Sequence, residues 1–97
     1  MCVIRHPKLA EDIRHAAMHY AEISDIVLSS FWSELDAVIE SIERNPRSHH
    51  YDSCELRRAN MKRFPYHILY EVNEDTIFMV VFRHDRRYPS FGTKRKM

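Results

Sequence analysis

The stretch Phe64–Phe82, FPYHILYEVNEDTIFMVVF, decides the fold of this 97-residue chain. After the bend at its start, apolar and polar residues alternate from Tyr66 to Val72, and this period of two predicts a strand with one buried face. Residues 73–75 have the composition of a hairpin turn. Residues 76–82 are nearly all apolar, which predicts a central strand that is covered on both faces. The stretch therefore predicts the antiparallel centre of a sheet.

The pattern upstream of this hairpin is helical. From Leu9 to Tyr20 the apolar residues recur at intervals of three and four, and the same spacing returns from residue 27 to residue 42. Between the two segments, Ser24 or Asp25 can cap the second helix by accepting a hydrogen bond from a free N–H group. Residues 45–46, Asn-Pro, end that helix because the residue before proline is pushed out of helical geometry. The short link favours an antiparallel helical hairpin.

The predicted fold class is α+β, in the order strand, helix, helix, strand, strand, strand. Cys2–Arg5 supplies the first strand, and the short basic segment 56–62 supplies the second. We expect a twisted antiparallel sheet, with its last three strands as a meander, packed against the helical hairpin. The length suits one domain, residues 1–97, and we expect the tail, residues 90–97, to be flexible.

Composition excludes several classes of protein. The longest apolar run, residues 77–82, falls well short of the ~20 residues of a membrane helix, and the N-terminus is too polar for a secretory signal. Cytoplasm is therefore the expected location, with Cys2 and Cys54 reduced. No phosphate-binding glycine loop or nucleophile elbow is present, which excludes the common nucleotide enzymes. His15 and His19 have zinc-compatible spacing, but exposed helix residues are the preferred interpretation, so we expect neither metal nor cofactor.

Charge is distributed unevenly along the chain. Residues 1–54 contain five Lys/Arg and nine Asp/Glu, a net charge of −4, whereas residues 55–97 contain ten Lys/Arg and five Asp/Glu, a net charge of +5. An acidic half followed by a basic half suggests one surface that attracts an anionic partner. The alternative is an arbitrary division of ordinary surface charge.

The basic half carries a motif found in a known family. It reads Leu-Arg-Arg-x-x-x-Lys-Arg-Phe-Pro-Tyr-x-Ile-x-Tyr-x-Val, followed by a strand that ends in His-x-x-Arg-x-Pro. The matching residues are Leu56, Arg57, Arg58, Lys62, Arg63, Phe64, Pro65, Tyr66, Ile68, Tyr70, Val72, His84, Arg87 and Pro89. With the order of elements from Val3 to Pro89, this pattern resembles the RelE/ParE superfamily of toxins. Asp85 and Tyr88 depart from it, because relatives often have a small residue and an acidic residue there, and both change the charge beside His84 and Arg87.

The resemblance implies the toxin of a type II toxin–antitoxin module of the plasmid-stabilisation type, which inhibits growth unless a cognate antitoxin binds it in a hetero-oligomer. ParE-like members poison DNA gyrase, whereas RelE-like members bind the ribosome and cut mRNA. The Phe-Pro-Tyr-x-Ile-x-Tyr form is closer to the ParE branch, so gyrase binding is the preferred interpretation. An mRNA endoribonuclease and an inactive relative that only binds a partner are the alternatives.

Catalytic residues are expected only if the protein is a metal-independent ribonuclease. His84 would then exchange protons near neutral pH, and Arg87, Arg58 and Lys62 would hold the phosphate. Arginine transfers protons poorly, so His84 would act almost alone. The preferred alternative is a structural or binding role at the end of the last strand.

Further basic and aromatic residues are candidates for contact with the target or an acidic antitoxin segment: Arg57, Arg63, Arg83, Arg86 and Tyr88. Alternation along the second strand predicts Arg58 and Lys62 on one face, with Arg57 and Arg63 on the other. The alternative is a charged edge strand that resists aggregation.

Overall fold

The computed structural model describes all residues, 1–97, and confirms the α+β class and the order of the elements. These elements are β1 Cys2–Arg5, α1 Leu9–Ile23, α2 Asp25–Arg44, β2 Arg57–Asn60, β3 Tyr66–Asn73 and β4 Thr76–His84. Neither helix has the combination of length and apolar character that a membrane span requires.

The two helices form the predicted hairpin, and Ser24 alone separates them. Its Oγ accepts a hydrogen bond from the backbone N–H of Val27 at 3.0 Å, which caps α2. Buried apolar residues on both helices pack against one face of the sheet: Leu9, Ile13, Ala16, Ala17 and Tyr20 of α1, and Phe31, Leu35, Val38 and Ile42 of α2. The hydroxyl of buried Tyr70 donates to the carbonyl of Pro46 at 2.6 Å, which fixes the end of α2 to β3.

The sheet has the order β1-β4-β3-β2. Strands β2, β3 and β4 pair in sequence as the predicted antiparallel meander. Strand β1 instead pairs parallel to β4, with Cys2 beside Thr76 and Arg5 beside Met79, so the sheet is mixed rather than wholly antiparallel. The helical hairpin and two strands lie between these neighbours, and a crossover of that length permits the parallel pairing that a tight turn excludes.

Strand β4 is buried from Ile77 to Arg83, which agrees with the predicted central strand. A β-bulge interrupts its alternation: Val81 pairs with Leu69 and Met79 pairs with Tyr70, so Val80 has no partner in β3. The extra residue exchanges the two faces beyond it. Consequently Phe82 packs with the helices, and the next residue, Arg83, points to the opposite face.

The second face of β4 is covered by the tail and by residues 51–56. Phe91, Cys54 and Leu56 pack there against an apolar cluster formed by Leu69, Phe78, Val80 and Val81. Gly92 has a φ of +75°, and a Cβ at this position would lie 2.6 Å from Val81 Cγ2, so only glycine fits. This cover also buries His67 and Leu69, and the expectation that β3 has only one buried face was wrong at these residues.

An ion pair completes the edge of β4 where β1 has ended. Arg95 Nη1 donates to the carbonyl of Val80 at 3.1 Å, and Asp12 Oδ2 accepts from the N–H of Phe82 at 3.2 Å. The two side chains are joined by hydrogen bonds of 2.7 and 3.1 Å. Arg95 and Asp12 therefore bond to backbone groups of β4 that a longer β1 would have paired. Their ion pair also joins the tail, which was expected to be flexible, to α1.

We predict that Arg95→Met lowers the free energy of unfolding by about 3 kcal/mol, because it leaves the mostly buried carboxylate of Asp12 without its cation. Urea unfolding followed by circular dichroism measures this loss. The control is Lys94→Met, an exposed neighbour, which should change stability by less than about 0.5 kcal/mol. Equal losses in both variants would show that the ion pair has no special role.

Candidate functional site, a cleft and a polar network at the end of the sheet

An open cleft of about 170 Å³ lies between α1, the end of β4 and the tail; we call it the His84 cleft. Its lining residues are Asp12, His15, Ala16, Tyr66, Phe82, Arg83, His84, Arg87 and Phe91. The structure therefore brings together His84 and Arg87, as the sequence motif predicts. Arg58 and Lys62, the other two candidate catalytic residues, do not line this cleft.

The orientation of His84 is set by its own turn. Its Nδ1 lies 3.0 Å from the backbone N–H of Arg86, which can only donate, so Nδ1 is the acceptor. The neutral ring then carries its proton on Nε2, which leaves that nitrogen as a donor. The ring also lies edge-on to Tyr66 at a centroid distance of 5.1 Å.

Arg87 is exposed and forms no ion pair with a carboxylate. Its Cζ lies 4.1 Å from the centre of the Phe91 ring, a cation–π contact that places the guanidinium beside the cleft. The neighbouring Arg86 and Tyr88 are also exposed, and the Tyr88 ring contacts Phe91 edge-on at 5.6 Å. Of the five candidate binding residues, these two present their side chains to solvent without a polar contact to the protein.

Arg83 is buried and holds the tail. Its Nη1 donates to the carbonyls of Pro89 at 2.6 Å and Phe91 at 3.2 Å, and its Nε donates to His67 Nε2 at 2.9 Å. Its Nη2 lies 3.5 Å from Asp52. Every nitrogen of this guanidinium has a protein partner, so Arg83, a candidate for binding a target, has a structural role here.

His67 is fully buried between Arg83 and Asp85, with its Nδ1 2.8 Å from Asp85 Oδ1. Because the arginine Nε–H can only donate, Nε2 accepts, and the neutral ring donates from Nδ1 to the carboxylate. Burial lowers the pKa of His67, and the charges of Arg58 and Arg83 lower it further, against the opposing hydrogen bond to Asp85. The ring is therefore held neutral.

Arg58 completes a polar network in which His67 and Arg83 are buried and Arg58, Asp52 and Asp85 are partly exposed. Its guanidinium lies 3.2 Å from Asp52 and 3.4 Å from Asp85. Burial raises the pKa of Asp52, but hydrogen bonds from Arg58 and Cys54 and the nearby arginine charges outweigh this effect and leave the pKa lowered. The charge of Arg58 is thus balanced by two carboxylates within the protein.

The rest of the basic segment is also dispersed. Arg57 donates to the carbonyls of Arg47 and His49 at 3.0 and 2.9 Å. The side chain of Arg63 pairs with Glu34 of α2 at 3.0 Å.

Lys62 lines a groove beside α2, whereas Arg58 lines a different one, although alternation predicts a shared face. Strand β2 ends at Asn60, so the alternation does not extend to Lys62. These residues do not form one cationic strip.

Five polar residues of the site were not selected as candidates from the sequence: Asp12, His15, Asp52, Tyr66 and His67. His15 was interpreted as an exposed helix residue, Tyr66 as part of a strand's buried face, and Asp52 as part of a polar loop. The order Asp12-x-x-His15 on one helical face was a usable signal, because residues three apart are neighbours on a helix. Nothing in the sequence indicates that the face of α1 with Asp12 and His15 lies opposite His84.

A larger, apolar groove of about 780 Å³ runs along the helical hairpin; we call it the helical groove. Its apolar lining includes Ala10, Ile13, Ala17 and Met18 of α1 with Leu28 and Trp32 of α2. Arg5 and Arg14 also line it. Met18 and Trp32 are exposed, so the surface has no cover within the chain.

The architecture matches that of a solved protein structure. A solved structure of the chromosomal ParDE TA system from P. aeruginosa superposes with a TM-score of 0.63 over 87% of this chain and 95% of that one, at 14% sequence identity. At this identity the similarity establishes the fold. No curated protein matches the sequence.

A sequence model of the family described as "ParE toxin of type II toxin-antitoxin system, parDE" matches residues 3–88. The chain therefore belongs to the ParE toxin family. This confirms the resemblance derived from the Arg-Phe-Pro-Tyr bend and the His-x-x-Arg-x-Pro strand end, and it favours the ParE branch.

We predict that His67→Gln reduces the dependence of stability on pH. A glutamine amide can accept from Arg83 and donate to Asp85, but it does not titrate. Because the pKa of His67 is lowered in the folded state, its contribution to stability is complete above pH ~6.5 and is lost as the pH falls through the lower folded value.

Urea unfolding between pH 7.5 and 5 measures this difference. Burial also lowers the pKa values of His6 and His49, so the stability of the wild type and of the variant should both depend on pH. Only the difference between the two slopes of stability against pH reports on His67. Identical slopes would contradict the assigned neutral state.

Proposed function

We propose that this ParE family member arrests growth in the cytoplasm by binding DNA gyrase, and that an antitoxin protein keeps it inactive in a toxin–antitoxin complex of the plasmid-stabilisation type. The observation that carries the choice of target is the separation of Arg58 and Lys62 from His84 and Arg87. Metal-independent RNA cleavage needs a proton acceptor, a proton donor and cations around one phosphate. Arg58 is neutralised by Asp52 and Asp85, and Lys62 lies beside α2. His84 and Arg87 stay together but lack these two cations, which favours a role in binding over a role in RNA cleavage.

The turn after β4 is the favoured contact for the target. Arg86, Arg87 and Tyr88 are consecutive in the sequence, and all three are exposed to solvent. Arginine and tyrosine are among the residue types that contribute most binding energy at protein interfaces. The polar network fixes the start of this turn, because Asp85 is bonded to both His67 and Arg58. A rigid turn with exposed arginine and tyrosine loses little entropy on binding.

The gyrase proposal predicts that the purified protein inhibits supercoiling by gyrase and causes cleaved DNA to accumulate. Replacing both Arg86 and Tyr88 by alanine should raise the inhibitory concentration at least about tenfold, since exposed arginine and tyrosine anchors contribute ≥ ~2 kcal/mol where they bind. Lys94→Ala, which removes a charge from the tail, is the control and should inhibit like the wild type.

Messenger RNA from induced cells is mapped at its 5′ ends in the same experiment. Unaffected supercoiling together with new cuts in translated messages would replace gyrase binding with the ribonuclease alternative. Normal growth on induction would rule out both toxic activities and would support the alternative of an inactive relative that only binds a partner.

The helical groove is the favoured site for the antitoxin. An exposed apolar channel between two helices suits an amphipathic helix, whose apolar side chains recur every three to four residues. Arg5 and Arg14 line the same groove, so the complementary helix is acidic. Both properties are consistent with an acidic antitoxin segment, and burial of Met18 and Trp32 would contribute to its affinity.

We predict that Met18→Glu weakens antitoxin binding at least about tenfold, because it adds a like charge and a polar group to an apolar contact. Met18 is 54% exposed, so the free toxin should fold normally. Ile26→Glu is the matched control, since Ile26 is 80% exposed and lies outside the helical groove. Calorimetric titration with the protein encoded by the adjacent gene measures both. Equal affinities for the two variants would place the antitoxin elsewhere.

A further inference from the structure

The His84 cleft gathers hydrogen-bond donors that have no acceptor in the protein. Tyr66 contributes a hydroxyl without a hydrogen-bond partner, and His84 contributes Nε2–H, because its Nδ1 is occupied by the Arg86 backbone N–H. Arg87 adds a guanidinium without a carboxylate partner, and His15 of α1 lines the opposite wall with an exposed imidazole. These four side chains come from three elements of the fold and the turn after β4.

The one acidic residue of the cleft, Asp12, forms an ion pair with Arg95, which offsets its negative charge. Both carboxylate oxygens of Asp12 are engaged, by Arg95 at 2.7 and 3.1 Å and by the Phe82 N–H at 3.2 Å. Arg83 lies in the same wall, but its guanidinium is engaged by His67, the tail carbonyls and Asp52, so it is not among the binding groups. Burial raises the pKa of Tyr66, so its hydroxyl stays protonated and able to donate.

We propose that the His84 cleft binds one phosphate group, held by His15, Tyr66, His84 and Arg87. Arginine recognises phosphate through paired N–H donors, and each histidine and the tyrosine add a directed hydrogen bond. The open cleft, of about 170 Å³, has room for a tetrahedral oxyanion. No bond is made or broken in this step, and the proposal does not depend on gyrase as the target.

The phosphate can come from solution or from the backbone of a nucleic acid, since both present the same oxygens. The exposed ring of Tyr88 lies next to Phe91 of the cleft, at 5.6 Å between centroids. An exposed aromatic ring beside a phosphate site can stack on a base of a single strand. A nucleic-acid strand should therefore change the environment of the Tyr88 ring on binding, whereas free phosphate should not.

Titration of the ¹⁵N-labelled protein with inorganic phosphate, followed by NMR at constant ionic strength in chloride, tests the site. We expect saturable shifts in the ring signals of His15 and His84 and in the Arg87 side chain. Arg87→Gln should weaken binding at least about tenfold, because it removes a charged donor. Lys94→Gln removes one positive charge outside the cleft and should bind like the wild type.

A second variant guards against loss of folding. Tyr66→Phe keeps the ring that packs on Phe82 and removes only the hydroxyl, and it too should weaken binding. Unsaturable shifts, or equal weakening in Arg87→Gln and Lys94→Gln, would overturn the proposal, because both indicate general attraction of anions.

A second arm uses a dinucleotide with one internal phosphodiester. Competition with inorganic phosphate together with a shifted Tyr88 ring signal would identify a strand as the source. Binding of inorganic phosphate alone would identify the free ion.

Discussion

A strand that is apolar on both faces must be covered twice, and this requirement on β4 governs the architecture. The helical hairpin covers one face, and a second element has to cover the other. The chain meets this need with segment 51–56 and with the tail around Phe91, neither of which is a regular element. Such segments make few backbone hydrogen bonds to the sheet, so side chains must hold them in place. Arg83 and Arg95 do so by bonding to tail carbonyls and to the edge of β4.

These anchors explain why the basic half of the chain does not form a basic surface. A buried or half-buried arginine is tolerated only with partners, because desolvation of an unpaired charge is costly. Several partners come from the acidic half: Asp12 pairs with Arg95, Glu34 pairs with Arg63, and Asp52 pairs with Arg58. The opposite net charges of the two halves therefore serve largely to join them. The exposed cations of the basic half without an acidic partner near β4 lie in two places: Arg86 and Arg87 in the turn after the strand, and Lys94 and Lys96 in the tail.

The parts of the fold that follow from local pattern could be predicted from the sequence. Helical spacing predicted both helices, and alternation predicted the strands of the meander. Ser24, which caps α2, was one of the two candidate caps. The orientation of β1 was not accessible, because a four-residue strand carries no signal of the direction in which it pairs. The packed tail was not accessible either, since residues 90–97 are mostly polar and contain one phenylalanine and one glycine whose contacts are distant in sequence.

The bulge at Val80 shows why the site was harder to predict than the fold. In a run where residues 77–82 are all apolar, the sequence cannot show at which residue the two faces exchange. That exchange sends Arg83 to the tail and turns His84 toward α1. The motif therefore identified His84 and Arg87 as a pair, but their neighbour His15 required three-dimensional information.

The second cover of β4 also has a consequence for truncated chains. A chain that ends between residues 84 and 91 lacks Phe91 and Arg95, so the face of β4 formed by Phe78, Val80 and Val81 keeps only residues 51–56 as its cover. Exposed β-forming residues of this kind are prone to pair with other chains. A message cut short between codons 84 and 91 would therefore produce a polypeptide that is a substrate for chaperones and proteases rather than a folded protein.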